Sequence, residues 1–402
     1  MNSKIIILIF GQTMPIETAV TYGFNVINIH TQKSIKDFKL SKEVNDIIVV
    51  SDIKEIEYKV EELNRLYSIA GIFSFTDYCN GTYIASKLDR KLGIHSFAAP
   101  EAIKIMNNKI LTRNLLDMLN MPNPLFIQAY NKEDVRQFFY KTTKPLIIKP
   151  TNGEGSKLVS KLTSLHEIDS YFNDLQLTDY KDGGIIVEEN INGIEVSVEV
   201  LISNNKVYTL GVTDKILQSE NKDNPYIEKA HIFPSRLPKS QIEVIIKAAT
   251  YFLENLDITN CIAHLEFIIT DKNIPYLIEG HLRPGGDGIT RLIKNSYNLN
   301  VYKCLYESVL KKYTYINNME KAKESCIYFI TPRPGIIKEI YIPEISNPLI
   351  NMINIRMKNC DVIKPIKESG DRIYGELIVT SSDLQSYEIA RRIENAILIT
   401  YK

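Results

Sequence analysis

Residues 263–283 read AHLEFIITDKNIPYLIEGHLR, two apolar stretches on either side of the polar turn 271–274. In the first stretch Ala263, Leu265, Phe267 and Ile269 alternate with His264, Glu266 and Ile268, so Glu266 and His264 share one face of a strand. The chain then returns antiparallel through 275–281. A turn centred between Lys272 and Asn273 sets Glu266 opposite Glu279 and His264 opposite His281. Directly opposed residues have Cβ atoms about 4.5–5.5 Å apart, where like charges repel. Two facing carboxylates call for a shared proton or a bound cation, unless solvent screens them on an open surface. Neutralising one of them is then expected to relieve repulsion and raise the stability of the ligand-free protein. Arg283 and Gly285-Gly286 follow at once, adding a cation and a flexible turn. Carboxylates with few soft neighbours suit Mg²⁺. His264 and His281 do not complete a zinc set, and a packing role fits each better.

Upstream lies Lys149-Pro150-Thr151-Asn152-Gly153-Glu154-Gly155-Ser156, a strand end followed by a glycine loop. Glycine allows the positive φ that turns successive N–H groups toward one anion, and Lys149 adds a point charge. An ordinary hairpin loop has the same look, and GxxxxGK[ST] is absent. Lys109 and Lys215, taken singly, read as surface lysines. The run 188–195, EENINGIE, joins two strands. Glu195, Ser197 and Glu199 alternate with apolar residues there, as on a solvated sheet face. Such a junction can also offer backbone groups to a planar ring.

The surrounding chain reads as α/β. Apolar runs at 5–10, 47–50 and 70–75 suit a parallel sheet covered on both faces, with a helix at 60–67. Thr76-Asp77-Tyr78 follows the third run, at a strand end of the kind where open α/β sheets place ligands. Gly11 stands alone after the first strand, so no dinucleotide fingerprint is present. Pro100 opens a helical region that runs toward Leu119. Strands are expected at 146–149 and 156–161, and a strand pair at 185–188 and 194–202. The stripe 242, 245, 246, 249, 252, 253, 256 marks a helix over 241–256. The last hundred residues read as a separate lobe, with a boundary near the charged stretch 319–324.

The 402 residues carry 48 Lys+Arg against 48 Asp+Glu, a balance that argues against nucleic acid as the main partner. Five cysteines at 79, 261, 304, 326 and 360 include no CxxC, so most of them fit core positions in a reducing compartment. The longest early apolar run, 5–10, is too short for a signal or membrane segment. The expectation is a cytoplasmic protein with no membrane partner.

In order, Lys109, Lys149 with its glycine loop, the 188–195 junction, Glu266, and Glu279 with Arg283 resemble the ATP-grasp superfamily. The run RPGGD, with His231-Ile232-Phe233-Pro234, is most similar to the carboxylate–amine ligase branch that contains the L-amino acid (dipeptide) ligases. The resemblance implies an α/β protein: an N-terminal pre-ATP-grasp domain (1–98), an ATP-grasp core (99–300) with a mobile lid at about 122–188, and a C-terminal α+β lobe (301–402). It implies that Lys109, Lys149, Gly153, Gly155, Ser156 and Lys215 hold ATP phosphates. Glu188, Glu189 and Ile191 would form the adenine hinge and Glu195 the ribose carboxylate. Glu266 and Glu279 would bind Mg²⁺. Arg283 and His231 would stand at the reacting groups, with Gly285 and Gly286 against substrate. The family usually has Asn where His281 stands, and an imidazole there suits Mn²⁺ better than Mg²⁺. The implied reaction joins a small-molecule carboxylate to an amine with release of ADP. Loading of an amino acid onto a carrier-protein thiol or a specialised-metabolite amine, or nucleotide binding without turnover, are the other readings. A homodimer is common in the superfamily.

Overall fold

A computed structural model describes residues 4–38, 47–142, 144–153, 155–178, 184–222, 224–310, 322–345 and 347–402. Glu154 of the glycine loop and residues 319–321 of the expected boundary lie outside them.

Strands β1 (Lys4–Ile9), β2 (Val26–Thr31), β3 (Ile47–Val50) and β4 (Ser68–Phe73) form a parallel sheet in the order β3-β2-β1-β4. The run KIIILI of β1 is buried on both faces beyond Lys4, which is why it shows no alternation. β2 escaped the sequence reading because VINIHT mixes Asn28 and His30 into the run. Both side chains are buried and bond the Gly11 turn: Gly11 N donates to Asn28 Oδ1 (2.9 Å), and His30 Nε2 lies 3.0 Å from Gly11 O. The expected helix at 60–67 is the end of a longer one, Lys54–Leu66.

The helical region after Pro100 is two helices, Pro100–Asn107 and Lys109–Met118. Asn108 breaks it by leaving the helical region and capping the second helix, its Oδ1 accepting from Ile110 N and Leu111 N. Next, β5 (Phe126–Ala129), β6 (Leu146–Pro150), β7 (Ser160–Leu162) and β8 (Ile185–Glu189) form an antiparallel sheet ordered β5-β8-β6-β7. Helices Lys132–Lys141 and Leu165–Gln176 cover it, with a core of its own around Leu146, Ile148, Ile168 and Val187. The strand expected at 156–161 starts only at Ser160. Ser156 (φ 58°) and Leu158 (φ 51°) have left-handed backbone that a strand cannot hold.

An eight-stranded antiparallel sheet follows. It uses β9 (Ile194–Ser203), β10 (Lys206–Leu217), β11 (Glu228–Phe233), β12 (Cys261–Ile269), β13 (Pro275–His281), β14 (Glu324–Phe329), β16 (Ile350–Ile355) and β18 (Gly375–Ser381), ordered β13-β12-β9-β10-β11-β14-β18-β16. The expected strand pair at 185–188 and 194–202 is not a pair: β8 lies inside one sheet, between β5 and β6, and β9 inside the other. The junction between them is therefore the seam between two sheets. The last strands are hydrogen-bonded into the central sheet through β11 and β14 rather than standing apart. A small sheet of β15 (Gly335–Tyr341), β17 (Val362–Ile363) and β19 (Leu398–Tyr401) lies beyond. One apolar core runs from the N-terminal sheet to the central sheet and its helix Lys239–Glu254, the helix read at 241–256. Among the described residues no helix is long and apolar enough to cross a membrane.

Candidate active site

The hairpin β12–β13 places Glu266 opposite Glu279 and His264 opposite His281, as its alternation predicts. The turn is not centred where the sequence reading put it. Beyond the acids Phe267 pairs with Leu277 and Ile269 with Pro275, a register centred on Lys272. A bulge between Glu266 and Phe267, with Ile278 as the extra residue, restores the pairing of the acids.

The two carboxylates are not left to repel each other. Glu279 lies 2.8 Å from Lys109 Nζ and 2.9 Å from His281 Nε2. Glu266 lies 2.7 Å from Lys215 Nζ and 3.2 Å from His264 Nε2. Burial alone would raise the Glu279 carboxyl, but Lys109 and His281 hold it well below the usual range. Burial would also raise Glu266, but Lys215 and His264 bring it far down. Both are ionised at neutral pH. The expectation that neutralising one raises stability is therefore reversed: each acid has a lysine within 2.8 Å, which neutralisation would strip of its partner.

Behind this pair the strand face read as solvated is buried. Glu199 and Ser197 are 3 % and 0 % exposed, covered by side chains that the neighbouring strands β12 and β10 send to the same face. Glu199 accepts from Ser197 Oγ (2.7 Å) and Thr213 Oγ1 (3.0 Å), and lies 3.0 Å from His264 Nδ1. Burial lowers the affinity of His264 for its proton, yet Glu199 and Glu266 on its two nitrogens push it up to about 9. His264 thus bridges two carboxylates, one at each ring nitrogen. Gly285 packs against it so closely that a Cβ would come within 2.7 Å of His264 Nδ1. Gly286, beside it, lines the cavity.

Lys149 lies 2.5 Å from Glu188, whose carboxylate is also gripped by the fully buried Arg113 (Nε 3.0 Å, Nη2 2.9 Å). Arg113 in turn donates to the carbonyls of Leu277 (2.7 Å) and Ile278 (3.2 Å) at the bulge. One guanidinium therefore ties the lysine strand β6 to the acidic strand β13. Nothing local in the sequence marked Arg113. The Glu188 side chain is occupied holding Lys149, so only its backbone remains for the hinge expected of Glu188, Glu189 and Ile191. Lys109 Nζ also donates to Gly153 O (2.6 Å), linking the glycine loop to Glu279. Lys215 meets Glu195 at 2.8 Å and Glu228 at 3.4 Å besides Glu266.

Arg283 reaches Asp77 at the end of β4, Nε to Oδ2 2.7 Å, and His281 Nδ1 lies 3.3 Å from the same oxygen. Burial would raise Asp77, but His281 and Arg283 carry it well below the usual carboxylate range. The strand-end position singled out in the sequence thus faces the site. On the other side His231 Nε2 is 3.2 Å from Asp287 Oδ2, which also accepts from Arg372 Nη2 at 2.7 Å. Glu228, His231 and Asp287 bring ligand atoms within 4.8 Å of one another, but Arg372 and Lys215 already neutralise the two acids. Lys109, Lys149, Lys215, Glu266, Glu279, Arg283, His231 and Asp287 line one cavity of about 750 Å³ between the β5–β8 sheet and the central sheet, with Asp77, Arg113 and Glu199 behind its wall. Of the residues expected at the site, all but Gly285 line this cavity, Gly155, Ser156, Ile191 and Glu195 among them; Gly285 packs behind it on His264. Two ionised carboxylates facing each other across a strand pair are oxygen donors that fit a hard divalent ion once the lysines turn to another anion.

Residues 106–286 match the family model of the ATP-grasp domain. The chain is 26 % identical over 183 residues to a D-alanine–D-alanine ligase of Flavobacterium psychrophilum, covering 44 % of this chain and 54 % of the relative. It is 24 % identical over 279 residues to the alanine–anticapsin ligase of Bacillus subtilis, covering 63 % and 57 %. The chain thus spans about half the length of these curated relatives. The crystal structure of an L-amino acid ligase from Bacillus licheniformis superposes over 100 % of both chains with a TM-score of 0.79 at 18 % identity. The α/β fold expected from the motifs is the one observed.

Proposed function

The chain carries an ATP-grasp domain of the carboxylate–amine ligase branch, and from that premise we propose that it joins a carboxylate, an amino acid on at least one side, to an amine at the expense of ATP. The observation that carries this reading is the opposed Glu266–Glu279 pair, with Lys109, Lys149, Lys215 and Arg283 in the same cavity. Lysines set beside carboxylates form a cradle for a phosphate chain that arrives with a divalent cation.

A carboxylate is a poor acyl donor because oxide is a poor leaving group. Its oxygen attacks the γ-phosphorus of ATP, the bond to the β-phosphate oxygen breaks, and ADP leaves. The amine nitrogen then attacks the acyl carbon, phosphate departs with the C–O bonding electrons, and the amine gives up a proton. Most of the work is positioning and charge neutralisation. Lys109 and Lys149 hold phosphate oxygens, and the 188–191 backbone receives the base. Glu195 takes the ribose and Lys215 the terminal phosphate. Glu266 and Glu279 would hold Mg²⁺, which supplies positive charge to the phosphate oxygens. Arg283, fixed by Asp77, faces the charge that develops on the acyl carbon's oxygen. His231, backed by Asp287, takes the amine's proton, and Gly285-Gly286 let substrate approach the backbone.

ADP release measured over a panel of amino-acid pairs tests this. A signal that needs two substrates together is expected. A signal that needs a carrier protein would redirect the reading to thiol loading, and none at all would leave a nucleotide-binding protein.

A further inference from the structure

Three segments far apart in sequence meet at the rim of the cavity. One is the glycine loop, one is the connection between β10 and β11, and one is the turn 367–372 between β17 and β18. Buried Asn224 of the connection stands between the other two. Its Nδ2 donates to Ser156 O at 2.9 Å and to Lys367 O at 2.9 Å, while its Oδ1 accepts from Tyr226 N at 3.0 Å. The reversed amide would set an oxygen against two carbonyls and an amino group against an N–H, so the orientation is fixed by its partners. Further bonds follow the same seam. Ser369 N donates to Gly155 O (3.1 Å), Ser156 Oγ donates to Tyr226 O (3.1 Å), and Lys157 pairs with Glu368 (3.1 Å).

The turn is stiff, because Asp371 Oδ2 accepts from both Lys367 N (2.9 Å) and Glu368 N (3.2 Å). Its far end carries Arg372, whose Nε is anchored on Ser369 O (2.9 Å) and whose Nη2 holds Asp287. Ser369 Oγ holds Glu228 as well (2.9 Å). One six-residue turn therefore touches the glycine loop at one end and the Asp287–His231 pair at the other.

We propose that Asn224 is a positioning residue that joins seating of the glycine loop on the nucleotide to placement of Asp287 and His231 at the reacting groups. The proposal rests on the ligase reading above. Ordering one carbonyl partner of the amide lowers the entropy still to be lost when the other is ordered, which is a coupling between the two ends of the site. Such couplings run from roughly 5- to 150-fold in binding constant.

The test is hydrogen exchange on the full chain with and without Mg²⁺ and the non-hydrolysable ATP analogue AMP-PNP. In the wild type the analogue is expected to slow exchange at 153–158 and at 367–372 together, each by about tenfold. In Asn224→Asp, which keeps the shape and removes both donors, it is expected to protect 153–158 while leaving 367–372 unchanged. Should that variant fail to fold by circular dichroism, Ser369→Pro, which deletes the N–H on Gly155 O, is expected to uncouple the segments in the same way. Nucleotide protection of 153–158 alone in the wild type, or undiminished joint protection in the folded variant, overturns the proposal. If the wild type shows no nucleotide protection anywhere, the ligase reading itself falls, and this inference with it.

Discussion

Glu279→Gln separates two views of the acidic hairpin. If the opposed carboxylates mainly repel, neutralising one raises the melting temperature without ligand. The contacts give the opposite sign. Glu279 is 2.8 Å from Lys109 and 2.9 Å from His281, and its side chain is 17 % exposed. Glu266 is itself covered by Lys215 at 2.7 Å, so the repulsion left to relieve is small. Because the folded carboxyl titrates well below its ordinary 4.5, its stabilising contribution is present above that value and is lost as pH falls below it. Glutamine imitates the protonated state at every pH. It keeps one acceptor but turns amide hydrogens toward a lysine. Charge-assisted bonds contribute about 1.5–3 kcal/mol each, and the retained acceptor returns part of that, so a net loss of about 2 kcal/mol is expected. In a chain this long such a loss lowers the melting midpoint by a few degrees, less than the roughly 2–4 °C per kcal/mol of 150–250-residue domains. Ligand-free thermal unfolding reads the shift, and ADP release reads the turnover, which should disappear. A midpoint that rises refutes the electrostatics described here. Wild-type-like ADP release at saturating Mg²⁺ refutes the assigned role of Glu279.

Arg113→Lys should cost about 3 kcal/mol or more in denaturant unfolding, since a lysine cannot serve Glu188 and two carbonyls at once; a loss under 1 kcal/mol would mean the guanidinium is dispensable. His281→Asn should lower the Mg²⁺ requirement and reduce any benefit from Mn²⁺, and an unchanged ratio of the two activities would place His281 away from the metal. Burial holds His30 down to about 4 against 6.5, the Gly11 carbonyl only partly opposing this. A depressed folded value means the unfolded chain binds the extra proton. Stability should therefore fall as pH drops from 6.5 toward 4, by about 3 kcal/mol in all, and His30→Gln should flatten that slope in urea titrations; an unaltered slope would locate the dependence elsewhere.

What could be read from the sequence was what is local. The Glu266–Glu279 pairing lies within one hairpin, and two-residue alternation specifies it, although two errors cancelled: the turn centre was misplaced by half a residue, and the bulge at Ile278 made up the difference. Glu199 was misread because alternation tells which residues share a face, not whether that face meets water or another strand. Asp77 and Arg283 stand 206 residues apart and Arg372 and Asp287 85 apart, so only the fold brings them together. The strand end carrying Asp77 stands out in the sequence by its position after the third apolar run, but its contacts to Arg283 and His281 do not. Asn224 left no trace at all, because a single amide between two carbonyls has no periodicity and no characteristic neighbours.

The lysines on Glu266 and Glu279 make the site its own counter-ion supply. A divalent cation alone would have to push two ammonium groups off carboxylates that hold them at 2.7 and 2.8 Å. A nucleotide alone would draw the lysines away and leave two bare acids facing each other. Each ligand creates the vacancy the other fills, so the pair is exchanged as a set: phosphates for carboxylates on the lysines, metal for lysines on the carboxylates. On the proposed reading, metal and nucleotide affinities are linked, each rising with the concentration of the other.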